Sequence, residues 1–165
     1  MNFTFTFLPK QNTEKYLPAL FEILHSNMSI IAPTGNTYEE DFEMWKSCII
    51  PEIQKENRQI VLIYCDKYIA GYFQYYVTDI SLKMEEIQLK KEYHGSGVFG
   101  LLYSWLILQL PQNLQYVEAY ASKQNFKSQG ILEHLGLKKC GENKNGKSFY
   151  YKGEYHKLAA LYKQP

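Results

Sequence analysis

The sequence predicts a single α/β (α+β) domain over residues 1–165, with a mixed, mostly antiparallel sheet of about seven strands and about four helices. Some runs alternate apolar and polar residues as half-buried strands do, and others repeat apolar residues at helical spacing. One glycine-rich turn leads from a strand directly into a helix. The chain is 45% hydrophobic and contains 15 tyrosines, so it can bury a packed core.

The N-terminal segment is predicted to form one strand and then a helix. Residues 3–7 alternate phenylalanine with threonine, which is typical of a half-buried strand. Asn12 or Thr13 can cap the helix that follows. Because Pro18 falls near the start of this helix, the sequence does not determine its first residue. The apolar stripe of this helix has helical spacing and consists of Leu17, Leu20, Phe21, Leu24 and Met28.

A second helix and a β-hairpin are expected next. Thr37 and Glu40 form a capping box that opens the helix, and Pro51 is expected to kink or split it. The β-rich runs Gln59–Tyr64 and Tyr68–Val77 are separated by a short polar turn, which predicts a hairpin.

The central part of the chain alternates strands and helices. A shorter strand over Glu85–Lys90 leads into the turn His94–Gly97 and then into an apolar helix. A strand over Tyr116–Ala121 follows, and then a helix over Asn125–His134 that ends at Gly136.

The C-terminal segment is predicted to be a hairpin. Its turn is Asn143–Gly146, and its extended parts are Ser148–Tyr151 and His156–Leu161. The predicted element order is therefore βααβββαβαββ.

Charge and composition exclude several function classes. The net charge is +1 and the only arginine is Arg58, which disfavours a nucleic-acid partner and bidentate phosphate clamps. No apolar run is long enough to span a membrane, and the N-terminus lacks the pattern of a signal peptide.

The cysteines and histidines show no metal-ligand spacing, so no metal is expected. Cys48, Cys65 and Cys140 are far apart and odd in number, which excludes a disulfide framework and fits the reducing cytoplasm. The histidines are also isolated from one another, at His25, His94, His134 and His156.

The segment from Ile87 to Leu102 carries the clearest chemistry. The first amides of a helix lack internal acceptors, and with the helix dipole they form a site for anions such as a diphosphate. Glycines in the turn let phosphate oxygens approach the backbone. By itself this pattern is equally compatible with an ordinary strand–turn–helix junction without a ligand.

This segment resembles the acetyl-CoA-binding motif of the GNAT N-acetyltransferases, Q/R-x-x-G-x-G/A after a strand ending L-x-V. Ile87 and Leu89 stand at the strand positions, His94 at the Q/R position and Gly97 at the first glycine. Phe99 occupies the G/A position, so the chain departs from the motif at His94 and at Phe99.

A second stretch continues the resemblance with the family's spacing. GNAT proteins commonly place an Asn, a small residue, a Tyr and then Gly-Phe along the next helix. Here the corresponding residues are Asn125, Ser128, Leu132, Gly136 and Leu137. The resemblance covers the chain from roughly residue 58 onward and implies the GNAT fold.

The resemblance implies acetyl-CoA as the cosubstrate. The backbone of Leu89 would pair with the pantetheine arm, and Asn125 with Ser128 would complete the site on the next helix. The diphosphate would lie on the amides of the turn and the first helical residues, namely His94, Gly95, Ser96, Gly97, Val98, Phe99 and Gly100.

Two adjacent glutamates are candidates for the general base. Strand alternation places Glu86 with Gln88 on one face, and Glu85 with the apolar strand residues on the other. Glu86 is therefore the expected base, acting directly or through a water, and Glu85 is the second candidate. Both could equally be solvated strand residues.

The residue that protonates the leaving thiolate is not evident. The family's tyrosine position is Leu132, which cannot donate a proton. Tyr120 is the first replacement, with Tyr150 and Tyr155 as further candidates, and solvent could also supply the proton.

The resemblance implies an N-acyltransferase that moves an acetyl group from acetyl-CoA to an amine of a small molecule or peptide. The alternative is a catalytically degenerate GNAT domain that binds acyl-CoA as a sensor or scaffold. GNAT proteins often dimerise through their C-terminal strands, which implies a homodimer in which residues 150–161 pair with a second copy.

Overall fold

The computed structural model describes residues 1–163. Its strands are β1 Phe3–Phe7, β2 Arg58–Cys65, β3 Tyr68–Val77, β4 Ser81–Leu89, β5 Tyr116–Ser122, β6 Lys138–Glu142 and β7 Ser148–Glu154. Its α-helices are α1 Leu17–Met28, α2 Tyr38–Ile53, α3 Val98–Gln109, α4 Phe126–His134 and α5 Tyr155–Tyr162.

The strands form one seven-stranded sheet in the order β1-β2-β3-β4-β5-β7-β6. β1 pairs with β2, β5 with β7 and β6 with β7, all antiparallel. β4 pairs with β5 in parallel. The predicted seven-stranded, mixed and mostly antiparallel sheet is therefore confirmed.

The prediction for the end of the chain was wrong. His156–Leu161, expected to be extended, lies within α5, so the order gains a fifth α-helix among the described residues. Tyr155 and Leu158 are buried three residues apart, and Tyr162 follows at the next helical repeat. These positions match the period of a helix better than that of a strand.

The starts of the first two helices have different causes. Asn12 adopts a left-handed conformation without a side-chain cap, and α1 begins at Leu17 with Pro18 in its first turn, where proline is tolerated. Thr37 and Glu40 form both hydrogen bonds of the predicted capping box. α2 continues through Pro51 to Ile53, so that proline does not split the helix.

The residue contacts group into two compact units. The first unit contains Met1–Gln74 and Glu86–Val98, and its core includes Leu17, Leu20 and Tyr72. The second contains Tyr75–Glu85 and the described residues from Phe99 on. Its most deeply buried side chains include Leu82, Leu102, Val117, Tyr151 and Leu158. The single domain over 1–165 remains a prediction.

All three cysteines are free thiols, with Cys65 buried and both Cys48 and Cys140 exposed. Within residues 1–163, no three His, Cys, Asp or Glu side chains are grouped so that they could hold a metal ion. Over the same residues, no helix combines the length and apolar character that crossing a membrane requires.

Candidate active site

The glycine-rich turn has the backbone that its sequence predicted. β4 ends at Leu89, a short 3-10 turn follows, and α3 begins at Val98. Gly95 and Gly97 have φ angles of 77° and 80°, which L-residues with a side chain rarely adopt. A Cβ atom added at either glycine would meet no heavy atom within 4 Å. The two glycines therefore expose backbone to open space at the N-terminus of α3.

The amides of this turn divide into two groups. The N–H of His94 donates to the Lys91 carbonyl at 3.1 Å, and that of Ser96 donates to the Tyr93 carbonyl at 3.2 Å. These two amides close the turn and are not available to a ligand. Among the described residues, the amides of Gly95 and Gly97 have no hydrogen-bond acceptor.

The N-terminus of α3 adds polar groups that need a partner. In an α-helix the first amides have no intrahelical acceptor, which applies here to Val98, Phe99 and Gly100. The Ser96 hydroxyl is buried and has no hydrogen-bond partner within residues 1–163. The turn therefore offers several unsatisfied donors close together, which is the arrangement an oxyanion requires.

The Leu89 carbonyl accepts two side-chain hydrogen bonds. Asn27 Nδ2 donates to it at 2.9 Å, and His94 Nε2 lies 2.9 Å from the same oxygen. Because a carbonyl only accepts, that histidine nitrogen carries a proton. Both lone pairs of the carbonyl are used, so the predicted pairing of Leu89 with a pantetheine arm would have to use other backbone groups.

The role of Asn27 was missed from the sequence. Besides its bond to Leu89, its Nδ2 donates to Gln88 Oε1 at 3.0 Å and so joins α1 to the end of β4. The available signal was an amide side chain between Leu24 and Met28, two residues of the apolar stripe.

Gly71 explains how closely β3 approaches β4. A Cβ atom on this residue would collide with the Gln88 carbonyl oxygen and lie 3.1 Å from Leu89 Cα. Only glycine allows the two backbones to approach in this way.

The two candidate bases differ in their surroundings. Glu85 is exposed, whereas Glu86 is half-buried and accepts a hydrogen bond from Gln88 Nε2 at 3.1 Å. This bond confirms that Glu86 and Gln88 share one face of β4. The Tyr72 hydroxyl lies beside Glu86. Burial, as the larger cause, and the Glu86 carboxylate, as the smaller one, raise the pKa of Tyr72 well above its ordinary value.

The parallel ladder between β4 and β5 is short. It joins Ser81–Met84 to Tyr116–Ala119. β4 continues to Leu89 and β5 continues to Ser122.

The candidate tyrosines lie in three different environments. Tyr120 is 58% exposed, and its ring centroid lies 5.2 Å from that of Tyr150, its cross-strand partner. The Tyr150 hydroxyl donates to Glu118, and burial together with this hydrogen bond raises the pKa of Tyr150. Tyr155 is buried, and burial raises its pKa. Tyr120 is therefore the most accessible candidate acid of the three.

A buried carboxylate on β5 was not foreseen. Glu118 is 9% exposed, and its Oε2 lies 2.7 Å from the Lys83 ammonium. Burial alone would raise the pKa of Glu118, but hydrogen bonds from Lys83, Tyr150 and Ser81 lower it to about 2. The Tyr150 proton is therefore directed at a permanent carboxylate, which makes this tyrosine a poor proton donor.

The second motif, which begins at Asn125, lies at the N-terminus of α4. Asn125 Oδ1 accepts the N–H of Ser128 at 3.1 Å, so this asparagine caps α4. Leu132 is buried, at 8% exposure, in the same helix. The assignment of Asn125 and Ser128 to a cofactor site remains a prediction.

Comparison with solved structures identifies the architecture. The PaiA N-acetyltransferase of Thermoplasma acidophilum, solved with coenzyme A, has a TM-score of 0.70 at 17% identity, over 94% of this chain and 100% of that one. A protein assigned as an acetyltransferase of the GNAT family from Desulfovibrio desulfuricans has a TM-score of 0.67 at 15% identity, over 93% and 99%. The chain has the GNAT fold.

A third GNAT-fold neighbour is a variant of the spermidine N-acetyltransferase SpeG from Vibrio cholerae. It has a TM-score of 0.63 at 13% identity and covers 94% of this chain and 95% of that one. No family model and no curated protein matches the sequence. The prediction of a GNAT fold, made from the two short motifs, is confirmed over nearly the whole chain.

Proposed function

We propose that this chain is an N-acyltransferase that moves an acetyl group from acetyl-CoA to an amine by direct attack. The observation that carries the proposal is the turn before α3. There the open backbone at Gly95 and Gly97 is combined with unsatisfied amides and the buried Ser96 hydroxyl. The GNAT fold, shared with proteins solved in complex with coenzyme A, supports it.

The donor groups of the turn fit a diphosphate. Backbone amides and a hydroxyl can bind the anion without arginine, and this chain has only Arg58. Gly95, Gly97 and the first residues of α3 would hold the diphosphate, with Ser96 Oγ as a further donor. Asn125 and Ser128 would contribute from α4, as the family motif implies.

The reaction requires proton transfers at two atoms. The amine nitrogen attacks the thioester carbonyl carbon, the C–S bond breaks, and the sulfur leaves as a thiolate. Glu86 would take the proton that the amine loses, directly or through a water. Tyr120 or solvent would return a proton to the thiolate, with Glu85 as the alternative base.

The acceptor class that we propose is an amine of a small molecule or a peptide. The neighbouring SpeG is named as a spermidine N-acetyltransferase, which shows that this fold can carry a small-molecule acceptor.

The second candidate function is a GNAT-fold scaffold that binds acyl-CoA without turning it over. The buried Leu132 at the family's tyrosine position favours it, as does the commitment of the Tyr150 proton to Glu118. Both observations reduce the number of groups that could protonate a thiolate.

The experiment that tests the proposal compares two glycine variants. Gly97→Ala and Gly146→Ala both place a Cβ atom at a positive φ, 80° and 71°, so their backbone strain is similar. Only Gly97 lies in the proposed diphosphate site. We expect Gly97→Ala to raise the KM for acetyl-CoA at least about tenfold, because its methyl group would keep the diphosphate from the backbone amides. Hydrogen bonds to charged groups contribute about 1.5–3 kcal/mol each. Gly146→Ala should leave the KM unchanged.

Turnover is measured by chromatographic detection of free CoA, with acetyl-CoA and a panel of primary amines. Equal KM values for the two variants would show that the turn does not bind acetyl-CoA. Tight binding of acetyl-CoA with no CoA released by any amine would favour the scaffold function instead.

A homodimer remains a prediction, but its predicted contact needs correction. β7 is already paired with β5 on one side and β6 on the other, and Tyr155–Tyr162 is helical. Residues 150–161 therefore cannot add to a second copy as a free strand edge.

A further inference from the structure

A cavity of about 510 Å³ lies in the first compact unit, between the C-terminal half of α1, the loop over residues 29–36 and the first half of α2. We call it the α1–α2 pocket. Its volume falls in the range of small-molecule sites, about 300–1,000 Å³. Its apolar wall comes from both helices and consists of Phe21, Leu24, Met28, Met44 and Trp45. The wall suits the apolar body of a small organic molecule.

Among the described residues that line this pocket, Asp41 is the one Asp, Glu, Lys or Arg. Its Oδ2 accepts the Thr34 hydroxyl at 2.6 Å, and its Oδ1 accepts Asn36 Nδ2 at 3.1 Å. A carboxylate has about four acceptor positions, so two remain. Within residues 1–163, no lysine or arginine forms an ion pair with Asp41. His25 lines the same pocket and interacts electrostatically with Asp41. The pocket thus combines an apolar wall with one carboxylate that has no lysine or arginine partner in the described part of the chain.

The aromatic rings strengthen the preference for a cation. Phe21 and Trp45 lie 5.4 Å apart between ring centroids, and both line the pocket. Phe21 is buried and Trp45 is half-buried, so the Trp45 ring is the more accessible of the two. Aromatic faces attract ammonium groups, so this ring and the Asp41 carboxylate favour the same ligand class.

The same helix that lines the pocket also reaches the proposed acyl site. Asn27 follows Leu24 by three residues and precedes Met28 by one, and its side chain bonds to the Leu89 carbonyl at the end of β4. All of these residues belong to the first compact unit. A molecule in the pocket would therefore lie along the helix that contacts the end of β4.

We propose that the α1–α2 pocket binds an organic cation with an aromatic or aliphatic body, whose charged group is recognised by Asp41. The identification of this ligand as the acceptor amine rests on the acetyl transfer proposed above. The competing explanation is that Asp41 only fixes the loop through Thr34 and Asn36.

The test uses 2-phenylethylamine and the neutral 2-phenylethanol as probes, in the absence of acyl-CoA. The chain has two tryptophans, so a Trp105→Phe background leaves Trp45 as the fluorescent reporter in the pocket. Each probe is titrated against this background and against the same protein carrying Asp41→Asn or Glu43→Gln. Glu43 lies on the same helix, is exposed and does not line the pocket, so it is the matched control for loss of one negative charge.

We expect saturable binding of the amine at least about fivefold tighter than that of the alcohol, because only the ammonium group can form an ion pair with the Asp41 carboxylate. Asp41→Asn should reduce amine binding to the level of the alcohol and leave alcohol binding unchanged. Glu43→Gln should change neither.

Three results would overturn the proposal. The first is that neither probe binds saturably, and the second is that both probes bind the unsubstituted pocket with equal affinity. The third is that Asp41→Asn weakens the binding of both probes equally, which would indicate a disturbed loop. A selective loss of amine binding in Asp41→Asn supports the proposed ligand of the pocket whether or not acetyl-CoA is turned over. Failure of the pocket proposal can therefore be distinguished from failure of the proposed acetyl transfer.

Discussion

Glu86 and Glu85 are adjacent residues of one strand with opposite exposure. Glu86 is half-buried and hydrogen bonded to Gln88, whereas Glu85 faces solvent. If Glu86 is the base, Glu86→Gln should lower kcat/KM about hundredfold, the lower end of what general-base catalysis contributes. Glu85→Gln, which removes the same charge one residue away, should change it less than about twofold. Initial rates of CoA release measure both, and equal losses would remove Glu86 from its proposed role.

Glu118 predicts a specific acid sensitivity. Hydrogen bonds from Lys83, Tyr150 and Ser81 hold its pKa at about 2 in the folded chain, below the ordinary value of 4.5. The stabilisation is therefore complete above pH 4.5 and is lost as the pH falls toward 2. Glu118→Gln should cost about 2 kcal/mol at pH 7 and less near pH 2, because the carboxyl group is then about half protonated in the folded chain and almost fully protonated in the unfolded chain. Urea unfolding at both pH values measures this, and a pH-independent cost would contradict the assignment.

At the scale of elements, the Asn27 side chain links α1 to the end of β4. Asn27 donates to both Gln88 and Leu89, and its neighbour Ser26 is exposed. Asn27→Ala should lower the free energy of unfolding by about 1–3 kcal/mol, because it removes two part-buried hydrogen bonds that contribute about 0.5–1.5 kcal/mol each. Ser26→Ala should lie within about 0.5 kcal/mol of the parent, as expected for a surface change. Similar values for the two variants in urea denaturation would show that the link contributes little.

Elements with strong local signals were predictable from the sequence. The capping box at Thr37 and Glu40, the two-residue hairpin turn before Tyr68 and the stop at Gly136 all occur where they were expected. α5 was not predicted, because its short sequence contains tyrosine and leucine, which suit strands and helices alike. Its helical period becomes evident only from the burial of Tyr155 and Leu158.

At the scale of the whole molecule, a ligand that binds only the folded chain must raise its melting temperature. At about 100 times its Kd, acetyl-CoA should contribute about 2.7 kcal/mol. For a chain of this size that corresponds to a shift of about 5–10 °C. NAD, which also carries a diphosphate and adenosine, should give no comparable shift. Thermal unfolding with both ligands measures the difference, and equal shifts would show a general anion site rather than one for acetyl-CoA.

The candidate site was predictable only in part, because some of its contacts join distant positions in the chain. The strand, the turn and the first helical residues around His94–Gly97 are contiguous, so their local sequence was sufficient. The bond from Asn27 to Leu89 and the ion pair of Lys83 with Glu118 are long-range, and no local pattern specifies either of them. The α1–α2 pocket likewise depends on how two helices and their loop pack.

The exposed thiols of Cys48 and Cys140 carry a practical consequence for protein kept in air. Accessible thiols on separate copies can oxidise to an intermolecular disulfide, whereas the buried Cys65 is shielded from this reaction. Such a covalent pair would have the mass of a homodimer without any folded interface. A sedimentation or light-scattering value therefore reports association of this chain only in the presence of a reductant, or with serine at both exposed positions.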